Sequence, residues 1–149
     1  MAWTEAVSDE VEIRRLIARF ANAFDLKAWD ALEACLTESL ATDYSDLRGT
    51  PPEVVARERF VEMRRVALDH LQTHHLSGNY EITVDGGLGR CRASMMIWRR
   101  DAEGRVLNTH CLYDFDVARS SVGWRISSIT QRVLWSDGDW AIHSGIQRA

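Results

Sequence analysis

Apolar residues recur at helical spacing along the first part of the chain and at two-residue spacing along its second half. Ile13, Leu16, Ile17, Phe20 and Phe24 fall at intervals of three and four and predict an amphipathic helix with one buried stripe. The pattern places its start near Asp9, with Glu12 three residues on as the partner in a capping box. Trp29, Leu32, Cys35 and Leu36 predict a second, shorter helix, and residues 41–46 read as a short strand. Thr50-Pro51-Pro52-Glu53 reads as a helix start: a Thr cap, proline in the first turn and Glu at the reciprocal position. That third helix would carry Val54, Val55, Phe60, Met63, Val66 and Leu68 to about Asp69.

After Leu71 the period changes. Turn clusters at Gly86-Gly87, at 101–104 and at 120–123 separate four runs of strand length, 72–84, 88–99, 106–118 and 124–135. Helices first and a long antiparallel meander second predict an α+β fold, a curved, mostly antiparallel sheet packed on N-terminal helices. Alternation sorts the strands into faces. Leu107, Thr109, Cys111, Tyr113, Phe115 and Val117 share one side and suit the inner, concave face, with His110 turned outward. Cys91, Ala93, Met95 and Ile97 form a second apolar side, opposite Arg90, Arg92 and Ser94. The tail from Ser136, with Trp140, follows the turn-rich Asp137-Gly138-Asp139 and either closes over a pocket mouth or frays.

Composition narrows the function classes. The 149 residues are 46% apolar and 27% charged, with a net charge of −4 and scattered arginines, which argues against a nucleic-acid face. No apolar run approaches a membrane span and the acidic start is not a signal peptide, so the expectation is one cytoplasmic domain over 1–149. Cys35, Cys91 and Cys111 are far apart and unpaired by motif, so neither a disulfide framework nor a zinc ribbon is expected. Six tryptophans suit a deep core or an aromatic-lined cavity.

Few residues suggest chemistry. Asp25, at the end of the first helix, reads as a helix-end hydrogen-bonder or as an inward acid, and turns favour the former. His74 and His75 are adjacent on a strand, so they point to opposite faces and do not chelate one metal together; no metal site is expected. Counting back from Ile82 and Tyr80 turns His74 inward, whereas one bulge near Gly78 would turn His75 inward instead, and spacing leaves the two open. Tyr44 by itself reads as a packing residue at a sheet edge. No phosphate loop, dinucleotide fingerprint, nucleophile elbow or zinc-protease motif is present.

Four strings, in order, resemble scytalone dehydratase and its SnoaL-like, polyketide-cyclase-like relatives in the nuclear-transport-factor-two-like superfamily. They are residues 23–30 (Ala-Phe-Asp-Leu-Lys-Ala-Trp-Asp), Thr42-Asp43-Tyr44, residues 71–78 (Leu-Gln-Thr-His-His-Leu-Ser-Gly) and Gly123-Trp124. The resemblance in layout runs from about Glu10 to Trp140 and implies a cone of helices and curved sheet, cystatin-like, around an internal, largely apolar pocket. It places a catalytic Asp–His pair on Asp25 and His75 and a carbonyl-polarising tyrosine on Tyr44. Pocket positions fall on Phe24, Ile97, Cys111, Tyr113 and Val133, with Trp140 in the lid. Phe24 stands where scytalone dehydratase has a second tyrosine, and Ile97 where it has a second histidine, so scytalone itself is not expected as the substrate. Lindane dehydrochlorinases are similar, with the same pair in a greasier pocket. The resemblance thus implies a lyase that needs no cofactor, acts on a small cyclic molecule and forms a homo-oligomer, a trimer before a dimer. An isomerase or cyclase using the same base, or a non-catalytic subunit module like the small subunits of ring-hydroxylating oxygenases, is the alternative.

Overall fold

The computed structural model describes residues 2–146 and carries the meander that the alternation predicts. The chain runs α1 (Ala2–Asp25), α2 (Trp29–Ala34), β1 (Leu36–Asp43), α3 (Ser45–Arg48), β2 (Glu53–Ala56) and α4 (Arg57–Leu68). Four long strands follow, β3 (Gln72–Asp85), β4 (Leu88–Arg100), β5 (Val106–Ser120) and β6 (Gly123–Gly138), then a 3-10 turn at Trp140–Ile142. One unclosed, curved sheet of six strands takes the order β2-β1-β6-β5-β4-β3. All its pairings are antiparallel except β1 with β6, which is parallel.

Hairpins with short glycine-bearing turns build the antiparallel part, and bulges curve it. In β6 the register shifts twice against β5, between His110 and Cys111 and between Asp116 and Val117. Each extra residue bends its strand and raises the local twist. The sheet therefore wraps around the stripe of α1, where Ile13, Leu16, Ile17, Phe20 and Phe24 are all at most 4% exposed. Against them pack Cys91, Ala93, Met95 and Ile97 from β4 and Cys111, Tyr113, Phe115 and Val117 from β5, the inner faces that alternation selects.

Three elements differ from the sequence pattern, each for a non-local reason. Helix α1 begins at Ala2 rather than near Asp9. Asp9 is no cap: its carboxylate accepts from Arg119 Nη2 at 2.7 Å and from Trp124 Nε1 at 3.1 Å, pinning the helix to the β5–β6 hairpin. The Thr50-Pro51-Pro52-Glu53 signature opens no helix. Glu53–Ala56 pairs with β1 as an edge strand, and α4 starts only at Arg57, behind Ala56, which makes no side-chain cap bond. β1 itself starts at Leu36 and ends at Asp43, five residues earlier than expected at its start, because its partner β6 lies some ninety residues away. The tail from Ser136 is packed rather than frayed as far as it is described: Ile142 and His143 are 3% and 4% exposed. His70 Nε2 meets Ile142 O at 2.9 Å, and Arg48 Nε donates to Gly145 O at 2.9 Å. The part of the tail beyond Ile146 lies outside the described residues.

Candidate functional site

Helix α1 ends on Asp25 where its buried stripe meets β3, and this junction assembles a hydrogen-bonded polar group in the interior. The Asp25 carboxylate accepts three hydrogen bonds, from His75 Nδ1 at 2.6 Å, from the His75 backbone N–H at 2.8 Å and from Thr73 Oγ1 at 3.0 Å. Asp25 is held ionised and can only accept, so the 2.6 Å contact assigns the histidine proton to Nδ1 and leaves the lone pair on Nε2. Phe24 stacks on the imidazole, centroids 5.1 Å apart at 27°, and Ile97 sits opposite it on β4. The His75 side chain is only 6% exposed.

His75 faces inward and shares its face with Tyr80, because β3 is bulged between them. Gly78 pairs with Ser94 but Glu81 pairs with Arg92, so Asn79 and Tyr80 together oppose Ala93. The residue that takes the left-handed turn is Asn79, at φ 52°, a conformation asparagine tolerates better than most. The bulge sets His75 and Ser77 on the same face as Tyr80, and Ser77 Oγ meets the Tyr80 hydroxyl at 2.6 Å. His74 turns outward and stacks on Trp98.

Electrostatics keep this pair as carboxylate and neutral imidazole. Burial alone would raise the Asp25 pKa, but the hydrogen bonds and charge interaction with His75, with the bond from Thr73, hold it below the usual carboxylate value. Burial drives the His75 pKa below 6.5 and outweighs the opposing pull of Asp25, with Arg99 and Lys27 adding repulsion. At neutral pH the ring is an unprotonated base.

Tyr44 is not on a strand but caps the short α3, 6% exposed, where its ring stacks on Phe60 and meets Tyr113 edge-on at 6.4 Å. Burial pushes its hydroxyl up to about 12, leaving it a proton donor. The described contacts join Tyr44 to Tyr113, Phe60, Arg48 and Arg64 rather than to His75. Cys111 is buried beside Gln131, whose Nε2 donates to the Tyr113 hydroxyl at 2.8 Å. Val133 and Trp140 are half-buried against the core. The backbone N–H of Val133, freed at a β6 bulge, donates to Asp46 Oδ2.

The interior is more polar than the sequence reading expects. Arg64 from α4 and Arg99 from β4 are 3% and 4% exposed, and Thr109, Gln131 and His143 are buried as well. Arg99 Nη1 donates to Thr109 Oγ1 at 2.7 Å. Both arginines carried a signal: Arg64 lies four residues from Phe60 and from Leu68 on the inner helix face, and Arg99 continues the Cys91–Ile97 alternation. His143 carried none, since its segment has no clear periodicity. Among the described residues no group of three His, Cys, Asp or Glu side chains could hold a metal ion, and no helix is long and apolar enough to cross a membrane.

Comparison with known proteins points to a family. Residues 5–130 match the model of the SnoaL-like domain. A scytalone dehydratase-like protein of Passalora fulva is 30% identical over 105 residues, which cover 70% of this chain and 57% of that relative's length. The uncharacterized protein Rv2910c of Mycobacterium tuberculosis is 27% identical over 124 residues, covering 80% of this chain and 82% of the relative. Among solved structures, Kfla4162 from Kribbella flavida superposes with a TM-score of 0.87 at 23% identity, covering 92% of this chain and 97% of its own. A hexachlorocyclohexane dehydrochlorinase from Novosphingobium barchaimii LL02 superposes at 0.79 with 12% identity, covering 94% and 96%, a likeness of fold alone.

Proposed function

The chain belongs to the SnoaL-like domain family, and on that premise we propose that it is a cofactor-free lyase acting on a small cyclic substrate. The observation that carries this reading is the buried 2.6 Å bond between His75 Nδ1 and Asp25, which leaves Nε2 as a neutral base. In the reaction Nε2 takes a proton from a carbon made acidic by a neighbouring carbonyl. The carbon's electron pair becomes the new double bond as the β-substituent departs. Asp25 holds the ring's tautomer and stabilises the imidazolium that forms. The Tyr44 hydroxyl, kept protonated by burial, donates to the developing enolate oxygen. A departing hydroxyl takes its proton back from the imidazolium, whereas a halide leaves as the anion. Phe24, Ile97, Cys111, Tyr113, Val133 and Trp140 are the positions that, by resemblance, would line the substrate's space. The dehydratase-like and dehydrochlorinase names among the similar proteins agree with elimination chemistry.

We place the protein in the cytoplasm as a homo-oligomer, a trimer by family resemblance. Support comes from the outer sheet face, where Trp98 and Trp135 are 37% and 55% exposed and the latter stacks on His110 at 3.8 Å. The test of function is turnover of a panel of hydroxylated and halogenated ring ketones by purified protein. Replacing His75 with Ala should abolish whatever activity is found. Asp25→Asn should cost roughly 10⁴-fold by analogy with other acid-assisted histidines. Tyr44→Phe should cost about ten- to a thousand-fold, as one oxyanion donor. His74→Ala is the control and should stay active. A His75→Ala variant that works normally defeats the mechanism.

A further inference from the structure

We infer that the interior is built to receive an anion: a carboxylate on the cyclic ligand, gripped by Arg64 and assisted by Arg99. This names the substrate class of the site above and rests on that reading only for the word substrate; the binding itself does not require it. Arg64 is buried beside a pair of aromatic rings, its guanidinium carbon 5.2 Å from the Tyr44 centroid and 5.3 Å from that of Phe60. Neither its Nε nor its Nη2 has a hydrogen-bond partner. Those two nitrogens form the side-on edge of the guanidinium, the fork that takes both oxygens of one carboxylate. The chain uses that same edge on its surface, from Arg14 to Glu10, Arg65 to Glu62 and Arg92 to Asp114. At Arg64 that edge is buried and without a hydrogen-bond partner.

Arg99 makes one described hydrogen bond, to Thr109, and no ion pair described in the chain includes either buried arginine. Both act electrostatically on Tyr113 and His143, so they look onto the same interior region. The carboxylate of Glu53 reaches Arg64 only through longer-range attraction, and its residue lies exposed on the sheet edge. Two buried guanidiniums with one hydrogen bond between them are costly to the empty fold. Gln131 Oε1 and Ser136 Oγ are likewise buried without partners and offer positions for a hydroxyl or carbonyl of the same ligand.

The test measures binding by calorimetry and thermal unfolding of the full chain with matched probes. These are benzoate and benzamide, phenylacetate and phenylacetamide, cyclohexanecarboxylate and its amide, and sodium bromide. At least one carboxylate should bind about tenfold or more tightly than its amide, and bromide should not substitute for it. Arg64→Met should erase that preference while raising the Tm of the ligand-free protein by a few degrees, because it removes an unpaired buried charge. Arg99→Met should weaken the preference. Arg64→Lys keeps the charge without the fork and should lose most of it. The His75→Ala variant should keep the preference whatever happens to turnover, so failure of the lyase reading is separable from failure of this one. The inference is overturned if acids and amides bind alike, if the preference survives loss of Arg64, or if bromide protects as well as the carboxylates. A fall in ligand-free Tm on Arg64→Met would overturn it too, by making Arg64 a structural residue.

Discussion

His143 gives the interior a measurable acid sensitivity. Burial, followed by repulsion from Arg99, Arg64 and Arg48, pushes its pKa from 6.5 down to about 2. Its Nδ1 also accepts the Gly145 N–H at 3.0 Å, a bond that protonation of that nitrogen would break. The folded-state value is depressed, so the stability it contributes is full above pH 6.5. As pH falls from there toward 2, the unfolded chain binds a proton that the folded chain refuses. Each pH unit in that window costs about 1.4 kcal/mol, and the loss between pH 7.5 and pH 5 integrates to about 2 kcal/mol. In the His143→Gln variant the amide oxygen can still accept from Gly145 but does not titrate. Its stability should therefore fall about 2 kcal/mol less than wild type over the same interval, roughly 4–8 °C in Tm. Urea unfolding followed by tryptophan fluorescence at the two pH values measures the difference, in which His75 and the carboxylates cancel. Wild type and variant curves running parallel to within about 0.5 kcal/mol would refute the argument, whatever their offset at pH 7.5.

Two further outcomes are expected. Asp9→Ala removes the acceptor of the buried Trp124 indole and of Arg119, so unfolding should become easier by about 2 kcal/mol, read as a lower urea midpoint at unchanged slope. Light scattering at micromolar concentration should give the mass of an oligomer, and introducing a charge at Trp98 (Trp98→Glu) should break it; a monomeric wild type would count against the outer face as an interface.

Much of the fold was legible because its signals were local. The hairpin turns at Gly86-Gly87 and around 101–104 and 120–123 bracket strands whose ends move by at most three residues between pattern and structure. Where pairing is distant the pattern misleads. Val54 and Val55 look like the first turn of a capped helix, yet Val55 is buried by pairing with Leu40 while Val54 stays 71% exposed. Edge pairing with β1 outweighs a cap signal worth about 1 kcal/mol. At the site, Asp25 and His75 stand fifty residues apart, and only the resemblance brought them together in the sequence. Arg64 and Arg99 were legible by period, but arginine is rarely buried without a partner and the sequence reading passed over both. His143 depends on a tail whose course is set by the end of β6, and nothing local marks it.

The bulge on β3 bears on how related sequences are compared. Deleting Asn79 on paper lets Tyr80 keep Ala93 and Gly78 keep Ser94, so every other pairing of β3 with β4 survives, His75 with Ile97 included. The distance in residues from this histidine to Tyr80 is therefore not a fixed quantity, and a gap belongs at position 79 in an alignment. A relative without the extra residue would present the same imidazole to the same carboxylate, yet a face count along its strand would succeed where it misleads here. Such a relative would have a straighter strand at this point, because the extra residue also supplies bend and twist.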